Sequence, residues 1–233
     1  ALPGSMETGL LVDVDADGAL DILPNGAKFA AWFRAETDGP KVTSFDKLDL
    51  PEELAGHGLG FGDLNGDGRA DVIGRYGWAE APEDRLKGTW KWHADFALPH
   101  RASIPIIVTD VEGDGDADLV WSNAHGYGVF WEEQTAPGEF QHHAIDLSWS
   151  QGHTPLWIDL DGDGTKEFVC GKRYFAHEGK DPGARDEKTI HRYQFDPQTT
   201  SWVRGTISRS DEIGFGLGPA AGDLDGDGDL DLV

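Results

Sequence analysis

The stretch Asp159-Leu160-Asp161-Gly162-Asp163-Gly164-Thr165-Lys166-Glu167 is one of five copies of a nine-residue pattern in this chain. The other copies begin at Asp13, Asp63, Asp110 and Asp223. Each copy carries oxygen-bearing side chains at positions 1, 3, 5 and 9, and a glycine at position 6 where the chain turns sharply. Alternate side chains of such a turn point toward one centre, which is the arrangement that a hard cation such as calcium prefers. These five copies are called the acidic loops below.

The acidic loops predict about five calcium sites, one in each copy. Acidic turns without a metal are the alternative, but three to four carboxylates in one turn would repel one another with no cation between them. The predicted calcium ligands are Asp13, Asp15, Asp17, Asp21, Asp63, Asn65, Asp67, Asp71, Asp110, Glu112, Asp114, Asp118, Asp159, Asp161, Asp163, Glu167, Asp223, Asp225, Asp227 and Asp231.

The sequence around each acidic loop predicts strands rather than helices. Apolar residues precede the loops, as in Leu156-Trp157-Ile158, and β-forming residues follow them. The loops begin 50, 47, 49 and 64 residues apart, and a period near 50 with several short strands is typical of β-propeller blades. In the second unit we expect the first three strands at about residues 58–62, 72–76 and 90–96; the pattern does not place a fourth.

We therefore predict an all-β fold and a single β-propeller domain over residues 1–233. The repeat units run from about 1–50, 51–98, 99–147 and 148–210, with an incomplete unit at 211–233. Five blades are visible in the pattern. The 32 glycines and nine tryptophans suit a turn-rich β fold of this kind.

The formal net charge is −24, and the acidic loops hold nearly half of the 43 acidic residues. Five bound divalent ions would reduce the charge to about −14. A chain this acidic is a poor partner for nucleic acid or for an anionic membrane surface, and no membrane insertion is expected. Cys170 is the only cysteine, so it cannot form an internal disulfide, and its apolar neighbours predict a buried structural thiol.

The loops and the Phe61-Gly62-Asp63 sequence before the second one resemble the FG-GAP/VCBS repeat family of calcium-binding propellers. The resemblance implies that the chain is part of a larger propeller, with seven blades, and that missing blades or further domains belong to the same protein. Such calcium sites fill most readily where calcium is millimolar. We therefore expect an extracellular or periplasmic location, although this sequence contains no signal peptide.

Four histidines are predicted to gather at the rim opposite the acidic loops. His57 and His153 each lie six residues ahead of the first aspartate of a loop, and His125 and His177 follow predicted second strands. Converging imidazoles with an open coordination position are what a catalytic zinc ion requires. Hydrogen-bonded structural histidines are the alternative for each one. His57, His125, His153 and His177 are therefore the candidate zinc ligands.

Segments around these histidines resemble the propeller domain of the aldos-2-ulose dehydratase family. The segments cover residues 56–63, 124–128, 148–153 and 171–177. The resemblance implies a zinc-dependent carbon–oxygen lyase that eliminates water from a keto-sugar, with zinc held by His57, His125 and His153. A metal ion there would polarise the ketone and acidify the neighbouring C–H bond. The residues implied as acid–base or orienting groups are Tyr127, Tyr174, Lys172 and Arg173.

Two other functions remain open at this stage. The chain could be a non-catalytic propeller that presents its loops to a glycan or a protein, or it could be a structural spacer. Its partner would accordingly be a carbohydrate substrate, a glycan ligand or another protein. No P-loop, Gly-x-Ser-x-Gly or His-Glu-x-x-His motif occurs in the sequence.

Overall fold

The computed structural model describes residues 5–233, so residues 1–4 of the predicted first repeat unit lie outside the described residues. The described chain forms four antiparallel sheets of four strands each, followed by a sheet of two strands. The sheets follow one another along the chain as the blades of a β-propeller, which confirms the predicted fold class. The predicted total of five or seven blades stays a prediction, since the described residues complete four.

Each four-stranded sheet is built from four consecutive strands. The first sheet contains β1 (Met6–Val12), β2 (Asp21–Gly26), β3 (Ala31–Asp38) and β4 (Lys41–Asp49). The second contains β5 (Leu59–Gly62), β6 (Asp71–Gly74), β7 (Gly77–Glu80) and β8 (Lys91–His93). The third contains β9 (Ile107–Thr109), β10 (Asp118–Ser122), β11 (Tyr127–Ala136) and β12 (Glu139–Ser150). The fourth contains β13 (Leu156–Ile158), β14 (Glu167–Gly171), β15 (Thr189–Asp196) and β16 (Ser201–Arg209).

The remaining elements are short. The two-stranded sheet pairs β17 (Ala221–Gly222) with β18 (Asp231–Leu232). A 3-10 turn covers Glu52–Leu54, and one helical turn, α1, covers Ala176–Gly179. Within residues 5–233, no helix has the length and apolar character that crossing a bilayer demands.

Every acidic loop connects the first and second strands of its sheet. In the second sheet, Gly62 pairs with Asp71 at the loop end, whereas Leu59 pairs with Gly74 at the other end. Residues that precede a first strand or follow a second strand therefore lie at the end of the sheet opposite the loop. This strand geometry matches the two rims expected from the sequence.

The first strands of neighbouring sheets approach closely. Gly60 on β5 bridges to Ile106 in a parallel arrangement, and the Ile106 amide donates to the Leu59 carbonyl at 2.7 Å. A Cβ placed on Gly60 would lie 2.5 Å from the Ile106 carbonyl oxygen. Glycine at this position therefore allows two backbones to meet where a larger residue would collide.

The hydrophobic core lies between consecutive sheets. One cluster between the first and second sheets includes Trp32 and Val72, and the next, between the second and third, includes Trp78 and Trp121. A third cluster between the third and fourth sheets contains Cys170, which is fully buried as a free thiol. The second and third sheets are thus each stabilised by apolar contacts with both of their neighbours, as face-to-face burial in a repeat architecture requires.

The expected strands of the second unit were wrong in one respect. The sequence placed a third strand over residues 90–96, but the third strand is β7 and residues 91–93 form the fourth. Only two residues separate β6 from β7, and Gly77 has a φ of +142° that this tight connection requires. Because the turn has only two residues, the sequence of β6 and β7 contains no loop signal that separates the two strands.

Candidate metal centre

Three of the four candidate zinc ligands meet at one end of the sheets. His57 precedes β5, His125 lies between β10 and β11, and His153 precedes β13. Their ring centroids are 4.5 Å apart for His57 and His125, 5.1 Å for His57 and His153, and 5.7 Å for His125 and His153. The backbone supports this arrangement across sheets, since the Ile104 amide donates to the His153 carbonyl at 3.0 Å.

Hydrogen bonds orient the rings of His57 and His125. His57 Nδ1 lies 2.9 Å from the Ala102 carbonyl oxygen, and His125 Nδ1 lies 3.0 Å from Asp181 Oδ2. Because a carbonyl and a carboxylate only accept hydrogen bonds, each Nδ1 carries the proton and each Nε2 presents a lone pair. These two Nε2 atoms face each other at 2.8 Å. Two lone pairs at this distance repel each other unless a proton or a metal ion lies between them.

A proton is poorly suited to that position. Burial lowers the pKa of His57 and lowers the pKa of His125 to about 4. Both rings are therefore neutral near pH 7, and a bound metal ion is the alternative that satisfies both nitrogens.

His153 supplies the third nitrogen. Its side chain is fully buried, its Nδ1 lies 3.3 Å from Thr154 Oγ1, and its Nε2 has no hydrogen-bond partner. Burial, followed by the nearby Arg173 charge, lowers its pKa to about 3. A buried imidazole nitrogen without a partner is unfavourable in a protein interior unless a ligand occupies the space in front of it.

Glu7 on β1 joins the three histidines, and the sequence interpretation missed it. Its Oε2 lies 3.2 Å from His57 Nε2 and its Oε1 lies 3.4 Å from His153 Nε2. Burial pushes the pKa of Glu7 upward, but His153 and Arg173 outweigh it and lower the pKa to about 2. One signal was present in the sequence: Glu7 precedes Asp13 by six residues, the same offset that places His57 and His153 before their loops.

The four side chains fit a zinc ion. One donor atom from each of Glu7, His57, His125 and His153 lies within 4.8 Å of the other three. Four donors around zinc at bond lengths of about 2 Å are separated by roughly 3.3 Å. The Glu7 contacts at 3.2 and 3.4 Å match this spacing, whereas the Nε2 atoms of His57 and His125, at 2.8 Å, would move apart around an ion. Imidazole and carboxylate donors suit zinc, and the Nδ1 contacts are the outer hydrogen bonds that metal-bound histidines usually make. This group is called the His–Glu cluster below.

His177, the fourth candidate ligand, lies behind the His–Glu cluster instead of facing its centre. Its ring stacks on His125 with centroids 4.8 Å apart, and its Nδ1 lies 2.7 Å from the same Asp181 Oδ2 that His125 contacts. The turn carrying it has left-handed backbone at Phe175, His177 and Glu178. The structure therefore gives His177 and Asp181 an orienting position toward His125, and His177 is not placed as a fourth ligand.

Arg173 is the candidate acid–base or orienting residue that touches the cluster. Its Nη1 donates to Glu7 Oε1 at 2.6 Å, and its Nη2 lies 3.3 Å from His125 Nδ1. The guanidinium thus places a positive charge beside the cluster.

Lys172, Tyr127 and Tyr174 lie in other surroundings. Lys172 Nζ is buried and donates to Ser150 Oγ at 2.8 Å and to the carbonyls of Ser150 and Gly183 at 3.3 and 2.6 Å. Burial lowers the pKa of Lys172 to about 8. Tyr127 donates its hydroxyl to Asp186, and the Tyr174 ring packs under Lys188. The Lys172 and Tyr127 contacts hold the segment after β14 against the third sheet, and the Tyr174–Lys188 contact lies within that segment.

The acidic loops at the opposite rim are internally ordered. In the second loop, Asp63 accepts hydrogen bonds from the amides of Gly66, Asp67 and Gly68 at 2.8 to 3.1 Å. Asp71, at position 9, is fully buried. Its carboxylate accepts hydrogen bonds from the Leu64 amide at 3.0 Å and from the Ala81 amide, just after β7, at 2.9 Å. The acidic residue at position 9 therefore connects the loop to its sheet through hydrogen bonds with backbone amides, in addition to any contact with a cation.

In several acidic loops an arginine side chain forms ion pairs with the loop carboxylates. Arg34 contacts Asp15 and Asp17 at 2.5 and 2.7 Å in the first loop, and Arg192 contacts Asp161 at 2.6 Å in the fourth. The third loop has no such partner within residues 5–233. There Glu112 Oε2 is buried without a hydrogen-bond partner, and burial, with Asp118 beside it, raises the pKa of Glu112 to about 8. A buried carboxylate pair of this kind fits a calcium ion.

Comparisons with known proteins agree with the repeat pattern. The family model described as FG-GAP-like repeat matches residues 12–74 and 110–170, more than half of the chain. No curated protein matches the sequence. A solved structure of a lectin from Agrocybe aegerita, described as recognising non-reducing terminal N-acetylglucosamine, is 20% identical with a TM-score of 0.48. That match covers 85% of this chain and 51% of the lectin chain, so the chain spans about half the length of that structure.

Proposed function

Because this chain belongs to the FG-GAP-like repeat family, we propose that it is a calcium-braced β-propeller that binds a carbohydrate at a zinc ion held by the His–Glu cluster. The observation that carries the proposal is the convergence of one imidazole nitrogen from each of His57, His125 and His153 with a Glu7 oxygen, all within 4.8 Å of one another. Calcium in the acidic loops would hold the first two strands of each sheet together at the other rim. Millimolar calcium outside the cytoplasm would fill these loops, in keeping with an extracellular or periplasmic location.

We favour binding over catalysis because two of the candidate acid–base groups are already hydrogen-bonded within the protein. Lys172 and Tyr127 are already bonded to Ser150, Gly183 and Asp186, so neither offers a free group to a ligand. A zinc ion held by the four donors would take a hydroxyl or carbonyl oxygen of a sugar as a fifth ligand, or in exchange for Glu7, and would then supply Lewis-acid attraction for that oxygen. Arg173 would orient the ligand beside the ion through the Nη2 group that is not bonded to Glu7, and the fully buried His153 would exclude water from the far side of the cluster.

Elimination of water from a keto-sugar is the second candidate function. Two features support it: Arg173 lies beside the cluster, where its charge would stabilise a developing negative charge, and the histidine segments resemble the dehydratase propeller. Incubation of the zinc-loaded protein with a 2-keto sugar tests this candidate, because elimination creates a conjugated enone with a new ultraviolet absorption. Binding of the sugar without that absorption would contradict the lyase function and leave the binding function in place.

Metal analysis tests the main proposal. After dialysis against zinc and then against metal-free buffer, we expect one zinc per chain, and we expect its loss in His57→Ala and His153→Ala. His143→Ala is the matched control, because His143 lies on β12 and contacts Glu133. A protein that holds no zinc, or variants that hold as much as the control, would contradict the proposal.

A further inference from the structure

A cavity of about 490 Å³ opens beside the His–Glu cluster. Glu7 and His57 of the cluster line it together with Arg75, Tyr76 and Arg101. Small-molecule sites in proteins commonly have volumes of about 300 to 1,000 Å³. The cavity therefore has room for a sugar that reaches from the cluster to the two arginines.

Arg75 is held in place without a carboxylate partner. Its Nε and Nη2 donate to the carbonyls of Leu98 and Pro99, both at 3.2 Å, and its guanidinium lies 4.9 Å from the Tyr76 ring centroid. No acidic side chain pairs with it among residues 5–233. Since neutral carbonyls satisfy only part of the guanidinium, Nη1 keeps its donors and the group keeps its full charge.

Arg101 is exposed and also has no ion pair in the described part of the chain. It precedes Ala102, whose carbonyl receives the Nδ1 proton of His57, and its charge acts on that imidazole. Six other arginines pair with carboxylates, as an excess of acids would predict: Arg34, Arg69, Arg173, Arg192, Arg204 and Arg209. Arg85 and Arg185 have no acidic partner in the described part of the chain either. What distinguishes Arg75 and Arg101 is that both line the same cavity.

We infer that this cavity binds an acidic sugar, with its carboxylate against Arg75 and Arg101 and its ring hydroxyls toward the His–Glu cluster. A guanidinium binds a planar carboxylate through two parallel hydrogen bonds, and its positive charge favours an anion over a neutral hydroxymethyl group. Tyr76 is half exposed and offers a flat face against which a sugar ring can pack. The contact between the ring hydroxyls and the His–Glu cluster rests on the proposed function, whereas the contact between the carboxylate and the two arginines does not.

Three methyl glycosides with the same pyranose ring provide the test: methyl glucuronide, its neutral methyl ester and a 6-sulfated methyl glucoside. Calorimetric titration of the zinc-loaded protein is expected to show glucuronide binding at least tenfold tighter than the ester. Arg75→Gln and Arg101→Gln should each weaken glucuronide binding about tenfold and leave binding of the ester unchanged. Arg209→Gln is the matched control, because Arg209 lies on β16 and pairs with Glu187.

The outcomes separate the inference from the proposed function. Equal binding of acid and ester by protein that retains zinc would overturn the acidic-sugar assignment alone, and tighter binding of the sulfated glucoside would overturn the choice of carboxylate. Absence of any binding would overturn the inference as well. If the proposed function is wrong, the protein will hold no zinc. The relative affinities for the glucuronide and its ester, measured in that metal-free protein, would still show whether Arg75 and Arg101 bind the carboxylate.

Discussion

Replacement of Asp71 by alanine should destabilise the protein even when calcium is absent. Asp71 is fully buried, and its carboxylate accepts the amide hydrogens of Leu64 and Ala81 at 3.0 and 2.9 Å. The variant leaves both buried donors without a partner, and each such loss costs about 1–3 kcal/mol. We therefore expect the free energy of unfolding to fall by about 2–6 kcal/mol in the presence of a calcium chelator.

Asp67 in the same acidic loop provides the contrast. It is exposed, and its carboxylate contacts only the neighbouring Arg69 and the side-chain amide of Asn65 among the described residues, so Asp67→Ala should cost less than about 1 kcal/mol in chelator. In calcium at a hundredfold excess over the dissociation constant, a bound ion stabilises the wild type by about 2.7 kcal/mol per site, which this variant loses. Its cost should therefore appear only when calcium is present.

Urea unfolding followed by tryptophan fluorescence measures both variants, with and without calcium. Asp38→Ala, an exposed acid outside the acidic loops, serves as the control and should be neutral in both conditions. The reasoning would be refuted if Asp71→Ala were as stable as the control in chelator, or if Asp67→Ala cost the same amount in both buffers.

Three further changes have defined outcomes. Lys172→Met removes the bonds to the following segment, so limited proteolysis should cleave that segment faster than in Lys91→Met; equal rates would contradict the assigned contacts. Burial lowers the pKa of His191 to about 4, so below pH 6.5 the unfolded chain binds a proton that the folded site excludes. Stability should consequently fall between pH 6.5 and 4, and denaturation of His191→Gln should show that fall reduced by about 3 kcal/mol; an unchanged pH profile would count against it. Gly60→Ala should lower the melting temperature by several degrees because its Cβ meets the neighbouring sheet, whereas Gly222→Ala, with open space around it, should not; equal melting temperatures would show that the sheets can separate.

The repeat pattern predicted the part of the fold that depends on local sequence. Each acidic loop carries its own turn chemistry, and the offset of six residues is enough to place His57 and His153 at the opposite rim. The convergence of His57, His125 and His153 then followed from the circular order of the sheets. A repeat makes such predictions strong because one local rule is applied several times.

Other features depended on contacts that the sequence does not display. Glu7 lies in a strand with no motif of its own, and only its place in the repeat relates it to the histidines. The resemblance implies an acid–base or orienting role for Lys172, but its ammonium donates to Ser150 and Gly183, which the sequence does not place beside it. β7 was missed because a two-residue turn joins it to β6.

Anomalous diffraction from crystals of the zinc-loaded protein, recorded on both sides of the zinc absorption edge, examines the His–Glu cluster directly. We expect one strong zinc peak between the Nε2 atoms of His57, His125 and His153 and a carboxylate oxygen of Glu7, and weaker calcium signal in the acidic loops. A map with no peak at the cluster, or with zinc bound only in the acidic loops, would contradict the metal centre and the carbohydrate binding proposed from it.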